Sequence, residues 1–234
     1  RSRELTAAMK VKASVLEGAR LFFKQENVFE TTPPIFVSSA CEGGSTLFQL
    51  DYFGQKASLT QSAQLHLEAL IFSLEKVYSI TPSFRADKSR TTKHLTEYWH
   101  IEGEFAFFDF EELLDFVERQ VEFIAHYVAR ERASDLLLLG RDPKELLAIK
   151  APFARMSYGE AVADLQKKGN PIKYGEDFGA DEEMLLTKDL TQPVFITHFP
   201  KEIKAFYMKE SGDGKTVNAA DLLAPQGFGE LVGG

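Results

Sequence analysis

The 234 residues contain a single cysteine, Cys41, so no disulfide can form within the chain and the composition fits a reducing compartment. No apolar run reaches the roughly 18 residues of a membrane-crossing helix. There is also no signal-peptide pattern or low-complexity tract, and the expectation is a soluble, cytoplasmic protein with no membrane partner. Positive charge is in deficit, with 27 Lys and Arg against 35 Asp and Glu, a formal net charge of −8. That balance argues against a surface that grips nucleic acid by charge alone, and such a partner must be met through a local patch or another domain. The G-x-x-x-x-G-K-S/T, G-x-G-x-x-G and G-x-S-x-G patterns are missing. His66, His94, His100, His126 and His198 are dispersed and never pair with cysteine at zinc-ligand spacing. Any nucleotide would therefore have to sit on a sheet.

What is present is a 44% hydrophobic content and 20 phenylalanines, enough for a sizeable core. The most informative stretch is Ser83 to Phe107. Within it Tyr98, His100, Glu102 and Glu104 alternate with Trp99, Ile101, Gly103 and Phe105, which puts the four polar residues on one strand face and predicts a packed apolar face opposite. Val77 to Phe84 reads as the preceding strand. The loop between them carries Arg85, Lys88, Arg90, Lys93 and His94, which suits an anion; by composition alone a solvated hairpin is the commoner outcome.

In chain order, residues 3 to 26 predict an amphipathic helix with Leu5, Ala8, Val11, Val15, Ala19 and Phe22 inward, against a sheet or a partner subunit. The prolines of Phe29 to Val37 leave an extended edge, a plausible dimer seam. Cys41 to Ser45 is a glycine turn carrying Glu42. Thr46 to Tyr52 and Gln55 to Thr60 form a hairpin about Phe53-Gly54. Gln61 to Leu74 is a helix with Ser62 as N-cap and Leu65, Ala69, Phe72, Leu70 and Leu74 as its apolar residues. Helices follow at Phe110 to Arg130, Ala133 to Ile149 (broken at Gly140 and Pro143) and after the Ser157/Glu160 capping box. Lys173 to Asp189 reads as a surface excursion. Strands return at Pro193 to His198, Ala205 to Lys209 and Thr216 to Leu223. Antiparallel hairpins outnumber strand-helix-strand units, so the fold class expected is α+β, an antiparallel β-sheet flanked by helices.

Five blocks in order carry a resemblance across nearly the whole chain. FRADKSRTTKHLTEYWHIEGE resembles motif 2 of class II aminoacyl-tRNA synthetases, and FETTPPIF resembles motif 1, with Pro34 as its proline. CEGGSTLFQLDYFGQKASLTQSAQLHLE, THFPKEIKAFYMK and DLLAPQGFGELVGG resemble the aspartyl/asparaginyl branch, nearest to asparaginyl enzymes of archaeal and eukaryotic type. The resemblance implies a partial catalytic domain over residues 1–234, with the family's N-terminal OB-fold anticodon domain and motif 3 falling outside it. It implies ATP and Mg²⁺, L-asparagine and tRNA(Asn), and a homodimer through the motif 1 region.

The resemblance also assigns residues. Arg85 matches the catalytic arginine that touches both the α-phosphate of ATP and the amino-acid carboxylate, a double contact that suits a guanidinium fork. Asp87, His94 and Tyr98 match ATP-binding positions: His94 toward the γ-phosphate, Tyr98 under the adenine. Asp221 and Glu230 match the acidic pair for Mg²⁺ on the phosphates. Glu42 and Gln64 match the holders of the substrate ammonium. Aspartyl enzymes carry a lysine and an aspartate where this chain has Leu67 and Glu102, an exchange that removes a cation for a carboxylate and supplies an acceptor for an amide. Asp87 replaces the usual glutamate of FRAE, and Thr92 and Lys93 stand where two arginines are common. An aspartyl enzyme, a synthetase-like asparagine synthetase and a non-catalytic paralogue remain the alternatives.

Overall fold

The computed structural model describes residues 2–38, 47–86 and 95–234. They divide into two compact units, Leu16–Phe108 and Arg1–Val15 with Asp109–Gly234. Helix α1 (Arg3–Gln25) contributes to both. Its buried residues are Ala7, Ser14, Gly18, Ala19, Phe22 and Phe23, while Leu5 and Met9 are more than half exposed. The expected inward face is thus rotated: small residues permit close approach along the first half, and the large ones that would prevent it point outward.

In the unit Leu16–Phe108, β1 (Phe29–Glu30) pairs parallel with β5 (Lys76–Phe84), which pairs antiparallel with β6 (Glu97–Phe105) from Lys76↔Phe105 to Phe84↔Glu97. Phe23 of α1 stacks on Tyr78 of β5 at 4.0 Å between centroids. A second sheet, in the order β2 (Phe36–Val37), β4 (Gln55–Leu59), β3 (Gln49–Tyr52), is closed by the expected turn. Phe53 and Gly54 both take positive φ, 52° and 80°, the conformation a two-residue hairpin requires. The proline-containing segment supplies two short edge strands, as its missing N–H donors dictate. Helix α2 (Gln64–Leu74) starts one residue later than Ser62 would set it, with Ala63 at the cap. Its buried contacts are Leu67, Leu70 and Ile71 against Ala63 and Val77, while Leu65 and Phe72 are exposed. A helix that is apolar nearly all round has no period to identify the inner face.

In the other unit a four-stranded sheet runs in the order β10 (Gly229–Gly233), β9 (Thr216–Ala224), β8 (Val194–Pro200), β7 (Ala154–Ser157), the last pair parallel. It is covered on both faces. Phe195, Ala220 and Leu222 pack with Leu114 and Val117 of α3 (Phe110–Glu131). Val194, Ile196, Phe199, Val217, Ala219 and Leu223 pack with Ala161, Val162 and Leu165 of α6 (Tyr158–Lys167). Double coverage explains why β8 and β9 read as almost unbroken apolar runs. Both α3 and α6 begin with a capping box, Asp109/Glu112 and the expected Ser157/Glu160. Short helices α4 (Ala133–Leu138) and α5 (Pro143–Leu147) fall on either side of Gly140.

Two expectations fail in this unit. Residues 173–189 are not a bare excursion: α7 (Ala180–Thr187) lies there, with Leu186 and Thr187 buried. Ala205 to Lys209 is not a strand but a turn, closed by the Met208 N–H on the Ala205 carbonyl at 3.0 Å, with Phe206 almost wholly exposed. The strands as a whole form three sheets, rich in antiparallel pairs, among the described residues.

Candidate functional site

Strands β5 and β6 and the start of α2 bring together one group of predicted residues. Arg85 follows β5, and its N–H donates to the Thr96 carbonyl at 3.0 Å, which closes the strand pair below the loop. Its guanidinium lies 5.8 Å from the centre of the Tyr98 ring, and that ring is 5.3 Å from His100. His100 Nδ1 is 3.3 Å from both Ser83 Oγ and Glu102 Oε1. Burial pushes the imidazole pKa below its usual range, outweighing the Glu102 charge that favours the imidazolium, and Arg85 adds to the lowering. The face Tyr98–His100–Glu102 is thus continuous, as the alternation requires. The opposite face is less enclosed than expected, because Trp99 is 49% exposed.

Glu102 is fastened to the beginning of α2. One carboxylate oxygen accepts from the Ser62 hydroxyl, and the other accepts from the Ala63 N–H at 2.8 Å. Ser62 Oγ in turn accepts from the Gln64 N–H at 3.0 Å. A carboxylate at a helix start is favoured by the free amide donors and the positive end of the dipole. One turn on, Leu67 has no exposed surface and packs with Ala63 and Val77.

The Gln64 side-chain amide donates to Glu68 at 2.9 Å. Glu104, two residues beyond Glu102, is raised to about 7, first by burial and then by the negative charges of Glu68 and Glu102. At neutral pH this carboxyl is therefore partly protonated.

The second group lies on β9 and β10. Asp221, Val217, Ala219 and Leu223 share one face of β9 by alternation. Glu230 stands across from Leu223 and Gly233 across from Asp221, with a bulge between Glu230 and Val232. Both carboxylates reach over Gly233: a Cβ there would lie 2.5 Å from Glu230 Oε1 and 3.4 Å from Asp221 Oδ1. Asp221 Oδ2 accepts from the Lys204 ammonium at 2.8 Å, and Glu183 Oε2 of α7 accepts from the Glu230 N–H at 3.1 Å. Burial pushes the Asp221 carboxyl above the usual aspartate range, and Asp177 and Glu183 add to that while Lys204 opposes it.

A family model for tRNA synthetases class II (D, K and N) matches residues 1–234. The chain belongs to this family. It is 49% identical over its whole length to asparagine–tRNA ligase of Thermococcus gammatolerans and 45% identical to that of Thermoplasma acidophilum, covering 55% of each. Its backbone is similar to the crystal structure of asparaginyl-tRNA synthetase from Pyrococcus horikoshii complexed with asparaginyl-adenylate, with a TM-score of 0.96, 46% identity, and coverage of 100% of this chain and 54% of that one. The chain thus spans about half the length of the curated relatives it matches.

As a class II synthetase domain, the chain places Arg85, Tyr98 and Glu102 on the expected hairpin, with Gln64 and Leu67 on the helix that Glu102 anchors. Glu42, Asp87 and His94 lie outside the described residues. Among the described residues no three His, Cys, Asp or Glu side chains gather as a metal cage. Mg²⁺ does not need one: it keeps several waters and takes one or two carboxylates together with phosphate oxygens. Two hard oxygen donors brought together over Gly233 fit that ion, with the Lys204 ammonium on the other Asp221 oxygen. No helix among the described residues is long and apolar enough to cross a membrane.

Sequence reading gave Ser62 only a capping role and assigned no site role to Glu68, His100, Glu104 or Lys204. The alternation in β6 had put His100 and Glu104 on the correct face. Nothing in the spacing could have linked Ser62 or Lys204 to carboxylates 40 and 17 residues away.

Proposed function

We propose that this chain carries the activation chemistry of an asparagine–tRNA ligase: L-asparagine and ATP form asparaginyl-adenylate, and the asparaginyl group passes to the 3′ end of tRNA(Asn). The observation that carries the choice of amino acid is the pairing of Glu102 with the first turn of α2, where Leu67 stands in place of a cation. Both Glu102 oxygens already accept donors, which orients the carboxylate, and each retains a lone pair for an amide NH₂. An aspartate side chain would meet an unneutralised carboxylate there, and one of the two would have to take up a proton.

In this reading the asparagine carboxylate attacks the α-phosphorus in line, the bond to the bridging oxygen breaks, and pyrophosphate leaves. No protein nucleophile is needed, because positioning and charge supply the rate. Arg85 contacts the α-phosphate and the substrate carboxylate, Tyr98 supports the adenine, and Asp87 and His94 serve the ATP. Glu42 and Gln64 hold the α-ammonium, and the Glu68 contact fixes the Gln64 amide for that purpose. Asp221 and Glu230 hold Mg²⁺, which when bound offsets charge on the phosphates. The homodimer is proposed to form through the Pro34 segment, where Phe29 and Phe36 are more than half exposed, and the compartment is cytoplasmic. The family alternatives of an aspartyl enzyme or an asparagine synthetase have no favouring observation, and Arg85, Asp221 and Glu230 are intact, against a non-catalytic paralogue.

The test is equilibrium binding of L-asparagine and of L-aspartate to the full-length protein in the presence of a non-hydrolysable ATP analogue. Tighter binding of asparagine by at least about a hundredfold is expected, some 2.7 kcal/mol. Equal affinities would remove Glu102 and Leu67 from the specificity assignment.

A further inference from the structure

The Lys204 ammonium is held against one of the two carboxylates read as metal ligands. It donates to Asp221 Oδ2 at 2.8 Å and lies 3.9 Å from the centre of the Phe199 ring. Phe199 is wholly buried, and the lysine and aspartate side chains are 18% and 19% exposed. The backbone that delivers the lysine is also fixed. It follows a single 3₁₀ turn, Lys201–Ile203, whose first N–H donates to the Lys215 carbonyl at 3.1 Å, and Ile203 packs on the core beneath α6. A mobile surface lysine has none of these restraints. Ring face and carboxylate together hold one positive charge against the acidic neighbourhood of Asp221, Glu230 and Glu183.

We propose that Lys204 is the resident counter-ion of the Asp221–Glu230 pair and makes the site accept a divalent cation only together with an anionic phosphate chain. A Mg²⁺ ion sits about 2.1 Å from its ligand oxygens, so one on Asp221 would lie within roughly 5 Å of the ammonium. In a partly buried site two cations at that separation repel strongly. Asp221 and Glu230 bring two negative charges to the three of Mg²⁺ and the ammonium, and the nearby Glu183 carboxylate is engaged by the Glu230 N–H, whereas phosphate oxygens add further anionic ligands. Without nucleotide the lysine therefore outcompetes the metal, and with nucleotide both cations are retained and Lys204 gains a second anionic neighbour. The carboxylates are thereby kept from collecting stray divalent ions between turnovers. This rests on the reading of Asp221 and Glu230 as Mg²⁺ ligands.

The experiment is a Mn²⁺ titration of the full-length protein followed by electron paramagnetic resonance, with and without a non-hydrolysable ATP analogue. Asp221→Asn identifies the part of the signal that belongs to this site. Lys204→Met keeps the apolar stem over Phe199 and removes the charge; Lys204→Gln serves the same purpose if the methionine variant does not fold, and Lys204→Arg restores the charge. The expected result is at least tenfold tighter nucleotide-free Mn²⁺ binding in the neutral variants, an arginine variant like wild type, and a gain that shrinks or reverses once the analogue is added. Unchanged nucleotide-free affinity in the neutral variants, with Asp221-dependent Mn²⁺ binding still present alongside the analogue, would overturn the counter-ion role and leave the Mg²⁺ reading standing. Absence of Asp221-dependent binding in every protein, analogue included, would overturn both.

Discussion

Glu102 accepts a hydrogen bond from the Ala63 N–H at 2.8 Å, and Ala63 packs on Leu67, so a strand carboxylate and a buried helix leucine 35 positions apart act on the same helix start. Replacing Glu102 with glutamine keeps the size and removes the anion. Asparagine-dependent pyrophosphate exchange should fall at least tenfold in kcat/KM, about 1.4 kcal/mol, while ATP binding stays within about threefold. Equal losses in the two would argue that Glu102 only supports the fold.

Leu67 tests the other half of this pair. It has no exposed surface, and truncation to alanine should lower stability by about 3 kcal/mol, within the usual range for a buried leucine. A denaturant midpoint measured on the full-length protein checks this. A loss below about 1 kcal/mol would mean that the side chain lines open space instead of core.

Glu104 gives a pH dependence whose sign is fixed. Its carboxyl is raised from 4.5 to about 7 in the folded chain, by burial and by Glu68 and Glu102, so the folded state holds a proton that the unfolded state releases. The stabilisation is complete below about pH 4.5 and is lost as pH rises through about 7, on the order of 3 kcal/mol at most. Thermal midpoints of wild type and Glu104→Gln, compared at pH 5 and pH 8, should diverge toward the alkaline side, with the glutamine variant the more stable there. A difference that does not vary with pH would place Glu104 in an ordinary solvated setting.

How far these features could be read in advance differs from element to element. The β5–β6 hairpin, the Ser157/Glu160 cap and the Phe53-Gly54 turn follow from local chemistry and appear where expected. The inner faces of α1 and α2 do not, since small residues in one and apolar residues all round the other leave the period uninformative. Helix α7 was missed because its surroundings are polar, although Leu186 and Thr187 anchor it. In the site, alternation grouped Tyr98, His100, Glu102 and Glu104 correctly. The contacts that give them distinct states, from Ser62, Ala63 and Glu68, arise only when a helix and a strand far apart in sequence are brought together.

Gly233 is where backbone shape meets the metal assignment. An alanine there would drive Glu230 Oε1 aside, since its Cβ would stand 2.5 Å from that oxygen. The obstacle is the end of a flexible side chain, so the fold should survive with a thermal midpoint within about 2 °C of wild type, less than a 1 kcal/mol change produces. Mg²⁺-dependent ATP binding should weaken at least about tenfold. Undiminished binding would remove Glu230 from the ligand set.

The most direct test of the whole reading is pyrophosphate exchange by the full-length protein, run with L-asparagine and L-aspartate in separate reactions. Exchange with asparagine and only background with aspartate is expected, because Leu67 supplies no cation and Glu102 supplies an anion. Exchange with aspartate alone would contradict it.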